Sequence, residues 1–288
     1  MALSRRCKVR MKYSIVIPVF GNIDWLDVLL RSLEEKCRRS HAEVIVVDDA
    51  SEPHDTEQLE ALRKERRIDI LIEHGSRRGF AAAVNSGVRN SSADVLFVMH
   101  TDVVVGPNTL GRLASHLKPH GSADAVSAVC CYAPHSAYRL SPEMQHRFVG
   151  AFKPKNKPSC HKDDIARSLV GLYGDFDSFC KSARISKPDL IYTEDGYFFA
   201  AAITRQAWDS VGEMDESFSD RGFADRLWVD KLSALGGQMY VDRSTYCHHH
   251  GNATSDGPGM CHEKLSATAR RQYEEAQREM LRSAGRLL

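Results

Sequence analysis

Short apolar runs alternate with segments of helical period through the first hundred residues. Tyr13 to Phe20 (YSIVIPVF) is a β-branched run that predicts a buried strand with Pro18 at its exit. Gly21-Asn22 makes a turn, and Trp25, Leu26, Leu29, Leu30 and Leu33 recur at helical spacing over Ile23 to Arg39. Ala42 to Val47 is a second strand that ends in the corner Asp48-Asp49-Ala50-Ser51. Thr56 to Arg67 reads as a helix and Ile68 to Glu73 as a third strand. A glycine-bounded loop from Gly75 then leads into the alanine-rich helix that reaches Gly87. Val95 to Val105 (VLFVMHTDVVV) is an apolar run broken by His100-Thr101-Asp102, a strand that stops at a polar corner and resumes. This repeated strand–helix order predicts an α/β fold: a single Rossmann-like, doubly wound, mostly parallel sheet with flanking helices and functional loops at the strand C-termini.

Beyond that corner, Pro107 to Leu117 predicts a helix and Ala125 to Tyr132 a strand. Periodicity then weakens, and Pro, Lys, Ser and His become frequent, which marks residues 133–195 as an insertion of loops and short helices, either an acceptor-binding lid or a variable excursion. Order returns with a strand over Gly196 to Thr204, a short helix over Arg205 to Val211, a helix that opens near Asp225 and closes at Gly236-Gly237, and a final strand over Gln238 to Asp242. Tyr246 to Gly251 carries three consecutive histidines. The last segment, residues 262–288, is a charged amphipathic helix with Leu265, Tyr273, Ala276, Met280 and Leu287 on its apolar side, which predicts packing on the domain. The expected organisation is an N-terminal extension (1–12), one domain (13–261) with a nucleotide-binding half (13–106) and an acceptor half (107–261), and the C-terminal helix.

Composition narrows the function. A net charge of +1, with 42% hydrophobic and 27% charged residues, gives no electrostatic footprint for nucleic acid. The eight cysteines include no C-x-x-C pair, which argues against a zinc ribbon or a secreted disulfide framework. No apolar run approaches the ~18 residues of a membrane span. The expected location is cytoplasmic, with a peripheral membrane contact left open.

Taken alone, His100-x-Asp102 is as consistent with a capped turn and a half-buried histidine as with a metal site. Asp48 and Asp49 are as consistent with N-capping as with ligand binding. Their order along the chain carries more information. SIVIPVFGN, VIVVDDAS, RRGFAAAVNSGV and VLFVMHTDVVV resemble successive motifs of family 2 glycosyltransferases of the GT-A fold, over roughly residues 12–255. That family includes rhamnosyl-, galactofuranosyl- and glucosyltransferases that use nucleotide sugars.

The resemblance implies a nucleotide-sugar site formed by Pro18, Phe20, Asp48, Asp49, Arg78, Gly79, Asn85, Thr101 and Asp102. It implies a divalent cation on the diphosphate, with Asp102 matching the last acid of the family's D-x-D and His100 standing where the first acid often sits. An imidazole there favours Mn²⁺ over Mg²⁺, which prefers oxygen ligands. The late V-x-H-x-x-G-like element adds His248 as a ligand, with His250 as second choice and His249 facing solvent. Counting back from Gly236-Gly237 places Asp225 at the second acid of an E-D-x-D-like segment, the general base, with Ala224 at the first. Asp215 and Glu216 are expected to organise a loop, and Asp230 is a weaker rival for the base.

The implied activity is inverting transfer of a sugar from a UDP-, dTDP- or GDP-linked donor to a hydroxyl of a glycan, lipid-linked or protein acceptor. Two other readings remain: a catalytically inactive nucleotide-sugar-binding module, suggested by Ala224 and His100, and a sugar-phosphate nucleotidyltransferase, which would need a basic glycine-rich signature that Phe20-Gly21-Asn22 lacks.

Overall fold

The computed structural model describes residues 12–119, 121–131, 136–138, 141, 143, 146, 162–183, 190–218, 223–250 and 262–283. Gly222, Gly251, nearly all of the N-terminal extension and much of the 133–195 insertion lie outside them.

Strands β1 (Tyr13–Val19), β2 (Ala42–Asp48), β3 (Ile70–Glu73) and β4 (Val95–Met99) form a parallel array in the order β3-β2-β1-β4. The apolar runs of β1, β2 and β4 lack alternation because these strands are buried on both faces, as the near-zero exposure of Ile15, Val16, Ile17, Val46, Val47, Phe97 and Val98 shows, while β3 at the edge is only partly buried. Helices α1 (Ile23–Ser40), α2 (Pro53–Lys64) and α3 (Phe80–Arg89) are the crossovers. α2 begins three residues earlier than the apolar pattern predicts, because Pro53 supplies the helical φ at the first turn. α3 packs closely on β1 and β2: a Cβ on Gly87 would run into Val16 and crowd Val47. Pairing of β1 with β4 stops at Val16↔Val98, while β1 stays paired with β2 to Val19↔Asp48. Past Val16 the pairing of the two central strands therefore ends, at the point where the order of connections reverses, which is where open α/β sheets place their ligands.

The second half extends the sheet through β8 (Ala200–Thr204), β6 (Ala125–Cys130), β9 (Met239–His249) and β5 (Val103–Val105), with β7 (Leu190–Thr193) also paired to β9. β8 is antiparallel to β4 and β6, while β6 and β9 are parallel, so the sheet is mixed but mostly parallel. The remaining helices are α4 (Thr109–Ser115), α5 (Lys162–Tyr173), α6 (Phe176–Ser182), α7 (Arg205–Val211), α8 (Ala224–Ala234) and α9 (His262–Ser283). Among the described residues no helix is long and apolar enough to cross a membrane.

β9 differs most from the sequence reading, which ended the strand at Asp242. It runs on through the histidines because Asp242, fully buried, accepts hydrogen bonds from the Ser244 amide at 2.9 Å, the Ser244 hydroxyl at 2.6 Å and the Thr245 hydroxyl at 2.5 Å. These bonds absorb the polar Arg243-Ser244-Thr245 stretch as an irregularity, so that pairing with β6 jumps from Ala128↔Asp242 to Val129↔Tyr246. His249 then lies opposite Val103, and His248 opposite Val104.

Candidate active site

The β2 corner supports the loop that follows β3. Asp49 is 4% exposed, and its carboxylate accepts from the Arg78 amide (2.9 Å), the Gly79 amide (2.7 Å) and His74 Nδ1 (2.8 Å). Gly79, at φ +89°, opens α3 in a conformation that suits glycine. Asp48 caps its own turn, taking the Ser51 amide at 3.0 Å and the Thr56 hydroxyl at 3.3 Å. Asp48 thus takes the capping role that the sequence reading left open, while Asp49 bonds to the distant Arg78-Gly79 turn. Phe20, just past β1, lies under the Arg77 guanidinium at 4.2 Å. Pro18 remains within β1, paired with Val47.

Two of the sequence candidates bond to the loop after α7. Asn85 is buried and exchanges hydrogen bonds with the Met214 backbone, at 2.9 Å in each direction, and donates to Glu216 at 3.0 Å. It pins the 213–218 loop to α3. Arg78 pairs with Glu216 at 2.7 Å on the surface, and Arg89 joins the same carboxylate and Glu213. The Asn85 hydrogen bond, together with Arg78 and Arg89, holds the Glu216 carboxyl below its usual range despite partial burial. Glu216 is thus the loop organiser that the sequence suggested.

At the β4 corner the chain gathers metal-competent side chains. Asp102 and Thr101 are 4% and 3% exposed. The His100 amide donates to the Phe199 carbonyl at 2.9 Å, which ties the corner to the entry of β8. One ligand atom each from His100, Asp102 and His249 lie within 4.8 Å of one another, with His249 Nε2 3.6 Å from Asp102 Oδ1. Burial and the neighbouring His249 push the His100 imidazole down to about 4, against the pull of Asp102. It is therefore neutral at pH 7, the form that ligates a metal.

This grouping differs from the expected ligand set of His248 and His250. Alternation along β9 does separate His249 from His248 and His250, but it is His249 that faces Asp102. His248 is fully buried on the other side, with Nδ1 2.8 Å from the Tyr173 hydroxyl and its ring stacked on Trp25 at 5.8 Å. The His250 ring lies 4.7 Å from Trp25, and its backbone amide donates to the Asp102 carbonyl oxygen. The period-two signal in the sequence gave the separation; the face followed from the Trp25 side of α1, which no local pattern encodes. Phe199 was not anticipated either. It stacks on His249 with centroids 4.8 Å apart and planes at 10°.

Asp225 lies in the first turn of α8. Its carboxylate accepts the Phe198 amide at 3.2 Å and the Arg226 amide at 2.9 Å. Burial dominates and raises the carboxyl to about 6, although these amides and the Arg226 charge pull it down. Helix and strand entry touch closely: a Cβ on Gly196 would lie 2.6 Å from the Asp225 carbonyl oxygen and 2.7 Å from Val229. Asp230 faces away from this entry, receiving the Tyr273 hydroxyl at 2.6 Å and the Gln277 amide at 3.0 Å. The dipeptide Phe198-Phe199 therefore joins the carboxylate of Asp225 to the cluster of His100, Asp102 and His249.

The profile of the family described as Glycosyl transferase family 2 matches residues 14–165, more than half of the chain. The chain belongs to glycosyl transferase family 2. Among curated relatives of this family 2 member, validoxylamine A glucosyltransferase of Streptomyces hygroscopicus subsp. jinggangensis is 30% identical over 244 residues, covering 81% of this chain and 54% of the relative. Dolichol-phosphate mannosyltransferase of Pyrococcus furiosus is 27% identical over 118 residues, 41% of this chain and 33% of that protein. The family 2 chain thus spans about half or less of the length of these relatives. The mannosyltransferase PcManGT from Pyrobaculum calidifontis, solved with GDP-Man and Mn²⁺, superposes with a TM-score of 0.56 at 18% identity, over 96% of this chain and 74% of that one. Staphylococcus aureus TarS, solved with UDP-GlcNAc, gives a TM-score of 0.57 at 14% identity, over 92% of this chain and 66% of that one. The fold of this family 2 chain is accordingly the GT-A fold.

Proposed function

We propose that this chain is an inverting glycosyltransferase that moves a sugar from a nucleotide-diphosphate donor to an acceptor hydroxyl, with Asp225 as general base. The observation that carries the proposal is the link through Phe198-Phe199 between a carboxylate raised to about 6 and the cluster of His100, Asp102 and His249. Family membership, and structural neighbours solved with GDP-Man and Mn²⁺ or with UDP-GlcNAc, support the donor class.

The donor set of two imidazoles and a carboxylate within 4.8 Å fits a divalent ion that accepts nitrogen ligands, Mn²⁺ ahead of Mg²⁺. A cation held by His100, Asp102 and His249 would offset charge on the diphosphate as it leaves. The Asp225 carboxylate takes the proton of the acceptor hydroxyl as that oxygen bonds to the anomeric carbon; the bond from this carbon to the phosphate oxygen breaks, and its electron pair leaves with the nucleoside diphosphate. One displacement inverts the anomeric centre. A carboxyl near 6 is mostly ionised at pH 7 yet basic enough to assist.

The test is a panel of UDP-, GDP- and dTDP-sugars with Mn²⁺, read by thermal shift and by release of nucleoside diphosphate. One donor should raise the melting temperature only with the metal and should be turned over. Neither turnover nor metal-dependent binding across the panel would sink the proposal.

A further inference from the structure

The first turn of α8 carries Asp225 but is poorly held by its own sequence. Its N-cap residue, Phe223, makes no side-chain cap bond and sits at φ +74°, a conformation that bulky residues avoid. The leading amides of any helix also lack intrahelical acceptors. Tyr273 of α9, 5% exposed, meets the first two turns of α8 and their cap at three places. Its ring stacks on Phe223 with centroids 5.0 Å apart and planes at 23°. The Arg226 guanidinium lies 5.2 Å over the same ring and pairs with Asp195 at 2.8 Å. Its hydroxyl donates to Asp230 at 2.6 Å, and Gln277, one turn along α9, donates to that carboxylate at 3.0 Å.

We propose that Tyr273 is a positioning residue for Asp225: by clamping Phe223, Arg226 and Asp230 it fixes the first turn of α8 and so aims the carboxylate at the strand entry. The proposal rests on the assignment of Asp225 as the base. This support comes from the C-terminal helix, 43 residues along the chain from Asp230. The two sides are complementary: Phe198 and Gly196 hold Asp225 from the sheet, and Tyr273 holds its helix from behind.

The test uses the full chain with Tyr273→Leu, which removes the stacked ring and the hydroxyl, and Tyr273→Phe, which keeps the ring. Hydrogen exchange of peptides over 223–234 should speed up about tenfold or more in Tyr273→Leu, with 80–89 unchanged, and should stay near the unmodified rate in Tyr273→Phe. In the folded Leu variant kcat should fall about tenfold or more while donor KM and nucleotide affinity stay within about twofold, and Tyr273→Phe should keep at least about half of kcat. Unchanged exchange over 223–234, or a fall in kcat matched by lost nucleotide affinity, overturns the proposal. If Tyr273→Leu does not fold, Phe223→Leu removes the ring that stacks on Tyr273; exchange over 223–234 should then rise about threefold, and no rise overturns the clamp. Absence of transfer by the unmodified protein would strike the base assignment, and the exchange readout would still decide the anchoring.

Discussion

Phe199 lies flat on His249, with ring centroids 4.8 Å apart and planes at 10°, while the amide of the preceding Phe198 is given to Asp225. Two adjacent residues at the entry of β8 therefore set the imidazole of one half-site and the carboxylate of the other.

With its carboxyl at about 6, Asp225 should make transfer rise through pH 6 to a plateau near neutrality. Asp225→Asn should abolish transfer and leave donor binding within about threefold of the unmodified protein. The kcat profile from pH 5 to 8 and calorimetric titration of nucleotide check both; an acid limb that persists unchanged in a residually active Asn variant would reassign the base.

The same carboxyl should show in stability. Its folded value, about 6, lies above the ordinary 3.8, so between these pH values the folded chain holds a proton that the unfolded chain has released. This group's contribution to stability therefore falls as pH rises from 3.8 to 6. Asp225→Asn should remove that loss, making the variant more stable relative to the unmodified protein at pH 7 than at pH 4, as urea denaturation at the two values would reveal.

His249→Ala and His248→Ala should separate cleanly. The first removes a member of the cluster and should weaken Mn²⁺ affinity by more than about tenfold. The second opens a cavity among Trp25, Tyr173 and Cys131, and should cost about 3 kcal/mol of stability with metal affinity retained. Isothermal titration with Mn²⁺ and thermal melts distinguish them, and equal metal loss in both would count against His249.

Gly196→Ala places a methyl against the Asp225 carbonyl and Val229, so α8 must move. The expected cost is about 2 kcal/mol, together with a kcat loss larger than the change in donor KM. A fully active, fully stable Ala variant would show that the close approach is not needed.

Asp49→Ala should release the Arg78-Gly79 turn, because the buried Gly79 amide, the half-buried Arg78 amide and His74 lose their acceptor. A loss of about 3 kcal/mol is expected, with weaker nucleotide affinity as the loop loosens. Proteolysis between residues 74 and 80 should become faster, and an unaltered cleavage pattern would argue that the loop stands without it.

Much of this was readable from the chain itself. The β-branched runs at Tyr13, Ala42 and Val95 have nowhere to go but a sheet buried on both faces, and the glycines and aspartates between them fix the corners, so the α/β fold and the clustering of site residues at one edge follow from local physics. Alternation along Tyr246 to His250 likewise separated His249 from its neighbours. Which face met Asp102 was decided by long-range packing: β9 pairs with β5 and β6, and Trp25 of α1 takes the His248 and His250 side, leaving His249 to Phe199 and Asp102. The same reason explains Asn85 and Asp230, whose spacing suits a ligand or a base, yet whose partners, Met214 and Tyr273, come from segments far along the chain. Period and composition act within a few residues; the partner that claims a polar side chain is chosen only when distant segments close over it.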